Sequence, residues 1–269
     1  METPSYWHKP TKAEFEQIFW NIPEQKSGTI LNLGGNSQNF AGVIKNSEVL
    51  ASLHLKTITT LLPDALQHKL PPLLGIHFAP STNTGSFADT QLAKEPLISL
   101  DQAVKSVDLT LLSGDFSKNS ATAIALSKLL KDHPDKQFVL AKDSIDLIAS
   151  DAESIISSPG VVIIASIPQL QKLLRAIFYP KMLLLSMPLL PVVELLHKFT
   201  LSFSCTIVTL SSGQIITAKD GTVYTIPLEK TSYSPLSFFT GSLASYIAAM
   251  NVWNPKSSLA TTAAAIFYK

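Results

Sequence analysis

The sequence is poor in charge, in cysteine and in metal-binding spacings. Only 15% of its 269 residues are Asp, Glu, Lys or Arg, and their formal sum is +1. Without a net field, nothing draws the whole chain toward nucleic acid or an anionic membrane. A single cysteine, Cys205, excludes an internal disulfide and fits a reducing compartment. It lies in the β-like run "SCTIVTL", where a small buried apolar residue is a plainer reading than a nucleophile. The six histidines, at 8, 54, 68, 77, 133 and 197, show neither H-x-x-x-H nor H-x-x-E-H spacing, so no metal site is expected. G-x-S-x-G is missing too, which argues against a hydrolase nucleophile elbow.

Long apolar runs are also lacking. The most membrane-like stretch, "MLLLSMPLLPVVELL" (182–196), is shorter than the roughly 20 residues of a spanning helix. Pro188, Pro191 and Glu194 interrupt it. A buried strand end running into a buried helix is expected there, with no membrane partner. The first twenty residues carry charges and no apolar signal-peptide core, so a cytoplasmic location is expected.

What is present is core material. Apolar residues make up 46% of the chain, enough for a large buried interior. Short β-branched runs alternate with helical patterns. Strands are expected at 28–35, 56–63, 73–80, 106–114, 136–142 and 160–166. Helices are expected at 41–54, 119–133, 143–150 and 167–178, with two more closing the chain. Near-continuously apolar strands, each followed by an amphipathic helix, predict an α/β fold with a mostly parallel sheet covered on both faces. Residues 204–227 differ: "SSGQ" and "KDGT" are tight-turn signals, so three short strands should form an antiparallel edge. Residues 28–269 read as one domain, with 1–27 a helical extension docked through Phe15, Ile18 and Phe19.

Open parallel sheets bind ligands beyond the carboxyl ends of their strands. Four strand-to-helix junctions stand out. "LGGNSQNFAG" (33–42) offers Gly34, Gly35 and Gly42 for close backbone approach. It is not G-x-G-x-x-G, which disfavours a standard dinucleotide site, and a tight βα turn explains it equally well. "LSGDFSKNSAT" (112–122) holds Asp115, either a turn residue or a functional acid, and a helix cap at Asn119 or Ser120. "VLAKDSIDL" (139–147) places Asp143 just past a strand, as a cap or a ligand contact, with Asp146 on the same helix face. "FFTGSLAS" (238–245) is the sharpest: a helix start at Thr240, Gly241 and Ser242 would present free amides to a phosphate. No carboxylate lies in or after that turn.

In this order the junctions resemble the ADP/ATP-dependent NAD(P)H-hydrate dehydratase family of the ribokinase-like superfamily, over roughly residues 28–269. "ILNLGGNSQNFAGV" is similar to the family's opening glycine motif. "VDLTLLSGDFSKNSAT" stands where the family has G-P-G-L-G, "FVLAKDSIDLI" resembles V-L-D-A-D-A-L-N-L-L, and "IVTLSSGQIITAKDGTVYTI" resembles its L-K-G strand pair. "FFTGSLASYIAAM" falls on G-G-S-G-D-V-L-A-G-I-I-A-A-L. The resemblance implies a ribokinase-like fold and a dehydratase that uses ADP or ATP with magnesium on hydrated NADH or NADPH. It assigns nucleotide phosphates to Thr240, Gly241 and Ser242, and the substrate side to Gly35, Asn36, Gly42 and Asp143.

The departures carry as much information. G-S-G-D is Gly241-Ser242-Leu243-Ala244 here, without the catalytic acid. Ala141 replaces the first Asp of D-A-D, "LSSG" lacks the Lys of L-K-G, and "ASIPQLQKLL" replaces T-P-H-x-x-E-F. A general base is worth roughly 10²–10⁴ in rate. The expectation is a catalytically impaired homologue that keeps a nucleotide pocket. Two alternatives remain: an active dehydratase or small-molecule kinase with Asp115 or Asp143 as relocated base, and an assembly protein whose apolar C-terminal "SSLATTAAAIFY" feeds a homo-oligomer interface. For the last stretch, a buried helix of the same core is the simpler reading.

Overall fold

The computed structural model describes residues 4–70, 75–82, 85–87, 97–255 and 258–268. Its strands are β1 (Trp7–His8), β2 (Thr29–Gly34), β3 (Thr57–Pro63), β4 (Ile76–Ala79), β5 (Leu109–Gly114), β6 (Gln137–Ala141), β7 (Val161–Ile164), β8 (Thr206–Ser211), β9 (Gln214–Lys219) and β10 (Thr222–Pro227). The helices are α1 (Glu16–Trp20), α2 (Ala41–Ala51), α3 (Leu100–Lys105), α4 (Ser120–Asp132), α5 (Ser144–Leu147), α6 (Ala152–Ile156), α7 (Ile167–Ala176), α8 (Leu189–Ser202), α9 (Pro235–Thr240), α10 (Ser242–Trp253) and α11 (Ser258–Phe267). Residues 73 and 74 of the strand expected at 73–80 lie outside the described residues.

All ten strands form one sheet in the order β1-β10-β9-β8-β7-β6-β5-β2-β3-β4. From β4 to β8 every pairing is parallel, and β8-β9-β10 are antiparallel, as the turn signals required. Alternation within each strand explains the continuous apolar runs. Phe138 and Leu140 face one core, while Val139 and Ala141 face the other. The first core is closed by α3, α4, α6, α7 and α8, through residues such as Leu100, Leu126, Ile155, Leu170 and Val192. The second is closed by α10 and α11, together with Phe15 and Leu50. Each fully buried Leu or Ile contributes about 1.5–3 kcal/mol.

Two elements follow directly from local chemistry. Asn119 caps α4 by accepting from the Thr122 amide at 2.9 Å. Ser166 and Gln169 form a reciprocal capping box at the start of α7, and Leu170, Leu173 and Leu174 line its buried face. Helix α10 is different, buried nearly all round, with Ala244, Ala248 and Ala249 allowing close approach of its neighbours.

The stretch at 182–188 is not a strand. β7 pairs directly with β8, so no slot remains in the sheet between them. Leu183 is buried, but Met182, Leu184 and Leu185 are exposed, and α8 begins only at Leu189. The two-residue β1 has no sequence signal; the Trp7 indole donates to Thr225 Oγ1 at 2.9 Å and holds it against β10. Phe15 of the leading segment is buried and lies 5.9 Å, ring to ring, from Phe267 of α11. In α11 itself, Thr261 to Ile266 are fully buried within this chain's own core. Cys205 is also fully buried, and desolvation pushes its thiol up to about 12, which makes it unreactive. No helix among the described residues is long and apolar enough to cross a membrane.

Candidate functional site

Two polar clusters form at the carboxyl ends of the central strands. The first joins the ends of β2 and β5 to the start of α2. Gly34 must be glycine because a Cβ there would stand 2.4 Å from the Gly114 carbonyl oxygen. Gly35 and Gly114 both adopt φ 88°, and the Gly35 amide donates to Gly114 O at 3.0 Å. Asn36 ties the loop together. Its Oδ1 accepts from the Gln38 and Asn39 amides, and its Nδ2 donates to Asp115 O at 2.7 Å. Asp115 sits in the left-handed region at φ 58°, as does Lys142 at φ 57°. The Asp115 side chain is buried, forms an ion pair with Lys142 and accepts from the Gly42 amide at 2.7 Å. A Cβ on Gly42 would meet both charged groups, at 2.5 and 2.7 Å. Thus Gly35, Asn36, Gly42 and Asp115 come together, with their polar groups engaged by one another.

The second cluster lines a cavity of about 550 Å³ between the ends of β6 and β7, the start of α7 and the α9–α10 turn. Lys118, Lys142, Asp143, Asp146, Lys172 and Gly241 contribute to its wall. Gly241 adopts φ 98° and lets α9 end and α10 begin without a linker. Thr240 closes α9, and the hydroxyls of Thr240 and Ser242 both donate to the Ser237 carbonyl. Of that trio, Gly241 faces the cavity. Beneath it, buried Asn46 donates to Ser113 Oγ at 3.0 Å, and Ser113 donates in turn to Asn32 Oδ1. Asn46 Oδ1 is enclosed without a partner, beside the position a Gly241 Cβ would take.

Asp143 precedes α5, but its side chain makes no capping bond. Its Oδ1 is enclosed and lacks a hydrogen-bond partner. Burial pushes its pKa up, and the neighbouring Asp115 carboxylate adds to the rise. The Phe116 backbone, Lys142 and Lys118 oppose it. Asp146 is already satisfied: one oxygen accepts from Lys172 Nζ at 3.0 Å, the other from Gln169 Nε2 at 3.2 Å. Gln169 also donates to Lys142 O at 2.7 Å, locking the β6 end to α7.

A search of the sequence for acids and glycines misses Lys118, Lys142, Lys172 and Gln169. The missed signal is positional: each lysine stands in a strand-end loop or in the first two turns of the helix that follows. Among the described residues no three His, Cys, Asp or Glu side chains form a metal-binding group.

No protein-family model matches the sequence, and no curated protein matches it. Solved structures do. A ribokinase-like superfamily protein from Enterococcus faecalis V583 superimposes with a TM-score of 0.66 at 13% identity, covering 99% of this chain and 87% of that one. The ADP/ATP-dependent NAD(P)H-hydrate dehydratase from Bacillus subtilis, crystallised with ATP and Mg²⁺ and soaked with CoA, gives 0.61 at 15% identity, covering 95% and 85%. Adenosine kinase from Anopheles gambiae gives 0.52 at 10% identity, covering 97% and 90%. Together with the strand order, these likenesses show that the chain has the ribokinase-like α/β fold.

Proposed function

We propose that this chain binds a nucleotide through its phosphates in the cavity at Gly241, and that it is impaired as a catalyst relative to NAD(P)H-hydrate dehydratases. The observation that carries this is the packing after the turn. Leu243 and Ala244, which follow Gly241 and Ser242 where the resembling family has Gly and the catalytic Asp, are 0% and 1% exposed in the apolar core. A carboxylate at 244 would be buried among hydrocarbon, at a cost of several kcal/mol. The phosphate-binding half of the site is better kept. Gly241, the N-cap residue of α10, borders one cavity with Lys118 and Lys172, which suits an anion. NADH- or NADPH-type ligands would enter from the Gly35, Asn36 and Gly42 side.

The test has two parts. ATP or ADP should raise the melting temperature; saturation at 100 times Kd corresponds to about 2.7 kcal/mol. Single-turnover reaction with hydrated NADH should yield no product at an enzymatic rate. Turnover at an ordinary rate overturns the impairment, and an unchanged melting temperature with every nucleotide overturns the binding.

A second reading is favoured by one observation. Asp143 lines the same cavity, and burial raises its pKa, the direction a general acid or base requires. If Asp143 has taken over proton transfer, the chain turns over hydrated NADH, or phosphorylates a small molecule, and Asp143→Asn abolishes that activity with the fold intact. Asp115 is a weaker candidate, because its carboxylate is held by Lys142 and the Gly42 amide. A homo-oligomer remains part of this proposal, through a surface other than the buried face of α11.

A further inference from the structure

The Bacillus subtilis dehydratase of this fold was crystallised with ATP and Mg²⁺, whereas the donor set of this cavity does not fit magnesium. That ion is held by carboxylate oxygens together with phosphates and waters. Asp146 has both oxygens engaged, by Lys172 and Gln169. Asp143 Oδ1 is sealed off, and burial favours the neutral acid. Three lysines contribute to the same wall, with the Lys142 ammonium turned to Asp115.

The lysines themselves are arranged for an elongated anion. A second cavity of about 470 Å³ adjoins the first, and Lys118, Asp146 and Lys172 line both. This second cavity opens on Asn119 and Ser120, the start of the 13-residue α4. A continuous groove therefore runs from the Gly241 turn, past Lys142 and Lys172, to Lys118 and the α4 amides. The three lysines differ in availability. Lys118 is exposed and forms no ion pair among the described residues. Lys172 is paired with Asp146, but its side chain is 54% exposed, and its three donors let it meet a phosphate oxygen while keeping that carboxylate. Lys142 is held by Asp115 and acts as a fixed charge.

We infer that this groove takes a metal-free polyphosphate, with Lys118 and Lys172 doing the charge neutralisation that magnesium does elsewhere. The inference rests on the phosphate-binding reading above but differs from it in its sign toward magnesium. Chelating the metal from the ligand frees phosphate oxygens for the lysines; adding magnesium competes with them.

Titration calorimetry of the full chain with ATP and with inorganic tripolyphosphate, each in EDTA and in excess magnesium, tests it. Both ligands should bind at least as tightly in EDTA as in magnesium. Lys118→Ala and Lys172→Ala, both at exposed positions, should each weaken metal-free binding by about tenfold. Binding that requires magnesium, or lysine variants that bind as the parent does, overturns the inference and leaves nucleotide binding standing. Metal-free binding of tripolyphosphate without any binding of ATP supports the inference and removes the nucleotide. Failure of both ligands in both buffers overturns the two together.

Discussion

The two polar clusters at the strand ends are near neighbours and opposites in kind. Around Asp115 the charged and polar groups satisfy each other: carboxylate to ammonium, carboxylate to the Gly42 amide, Asn36 to three backbone groups. Around Gly241 they do not. Lys118 is without an ion pair among the described residues, Lys172 holds an exposed and weak one, and Asp143 Oδ1 and Asn46 Oδ1 lack partners. Enclosed polar atoms without partners cost stability, but Thr206 and Thr217 in β8 and β9 carry them too, so it is the exposed lysines around the cavity that set this cluster apart. The first cluster is a clasp that sets the backbone of three loops. The second is the surface this clasp presents.

Four single substitutions and one double variant test that contrast, the largest effect first. Gly114→Ala attacks the clasp through its backbone. The residue sits at φ 88°, and a Cβ would meet Lys142 Cβ at 2.6 Å and Asp143 Oδ1 at 2.8 Å. A loss of about 3 kcal/mol or more is expected, read as a lower urea midpoint with an unchanged slope. Asp115→Ala leaves Lys142 and the Gly42 amide without their acceptor and should cost about 2 kcal/mol. The double variant Asp115→Ala, Lys142→Met should recover part of that loss, since it also removes the stranded charge; a strictly additive result would break the pairing.

The open cluster predicts the reverse sign. Asp143 holds its proton more tightly folded than unfolded, because its pKa is raised above the ordinary 3.8. The stability this contributes is complete below the unfolded pKa and disappears as pH rises through the folded pKa. Asp143→Asn should therefore melt higher than the parent at neutral pH, with the gap closing as pH falls toward the ordinary carboxylate range. A variant less stable at neutral pH would mean that the Phe116 backbone and the nearby lysines favour the carboxylate more than burial disfavours it. Smallest of all is Lys118→Ala, which should move the unfolding midpoint by no more than about 0.5 kcal/mol while weakening phosphate binding.

The contrast also marks what a sequence can reveal. Strand ends, the Asn119 cap and the antiparallel edge are legible because each rests on a local rule: apolar alternation, a side-chain acceptor one turn ahead, a glycine turn. The clasp is not legible. Asp115 and Lys142 are 27 positions apart, and their left-handed backbone follows from the fit between loops. The cavity lysines escape for a related reason. A lysine is ordinary surface in any sequence, and only the parallel strand order brings three of them to one groove. At 182–188 an apolar run suggests a strand, yet the sheet offers it no partner, so a local pattern loses to topology.

The central claim is that a phosphate cradle persists here without the acid that would make it an enzyme. A rapid-quench single turnover tests it most directly, with the protein in excess over hydrated NADH and ATP saturating. The account predicts that the hydrated dinucleotide survives while ATP stays bound. Its conversion at the roughly 1–10³ s⁻¹ typical of enzymes would contradict the account.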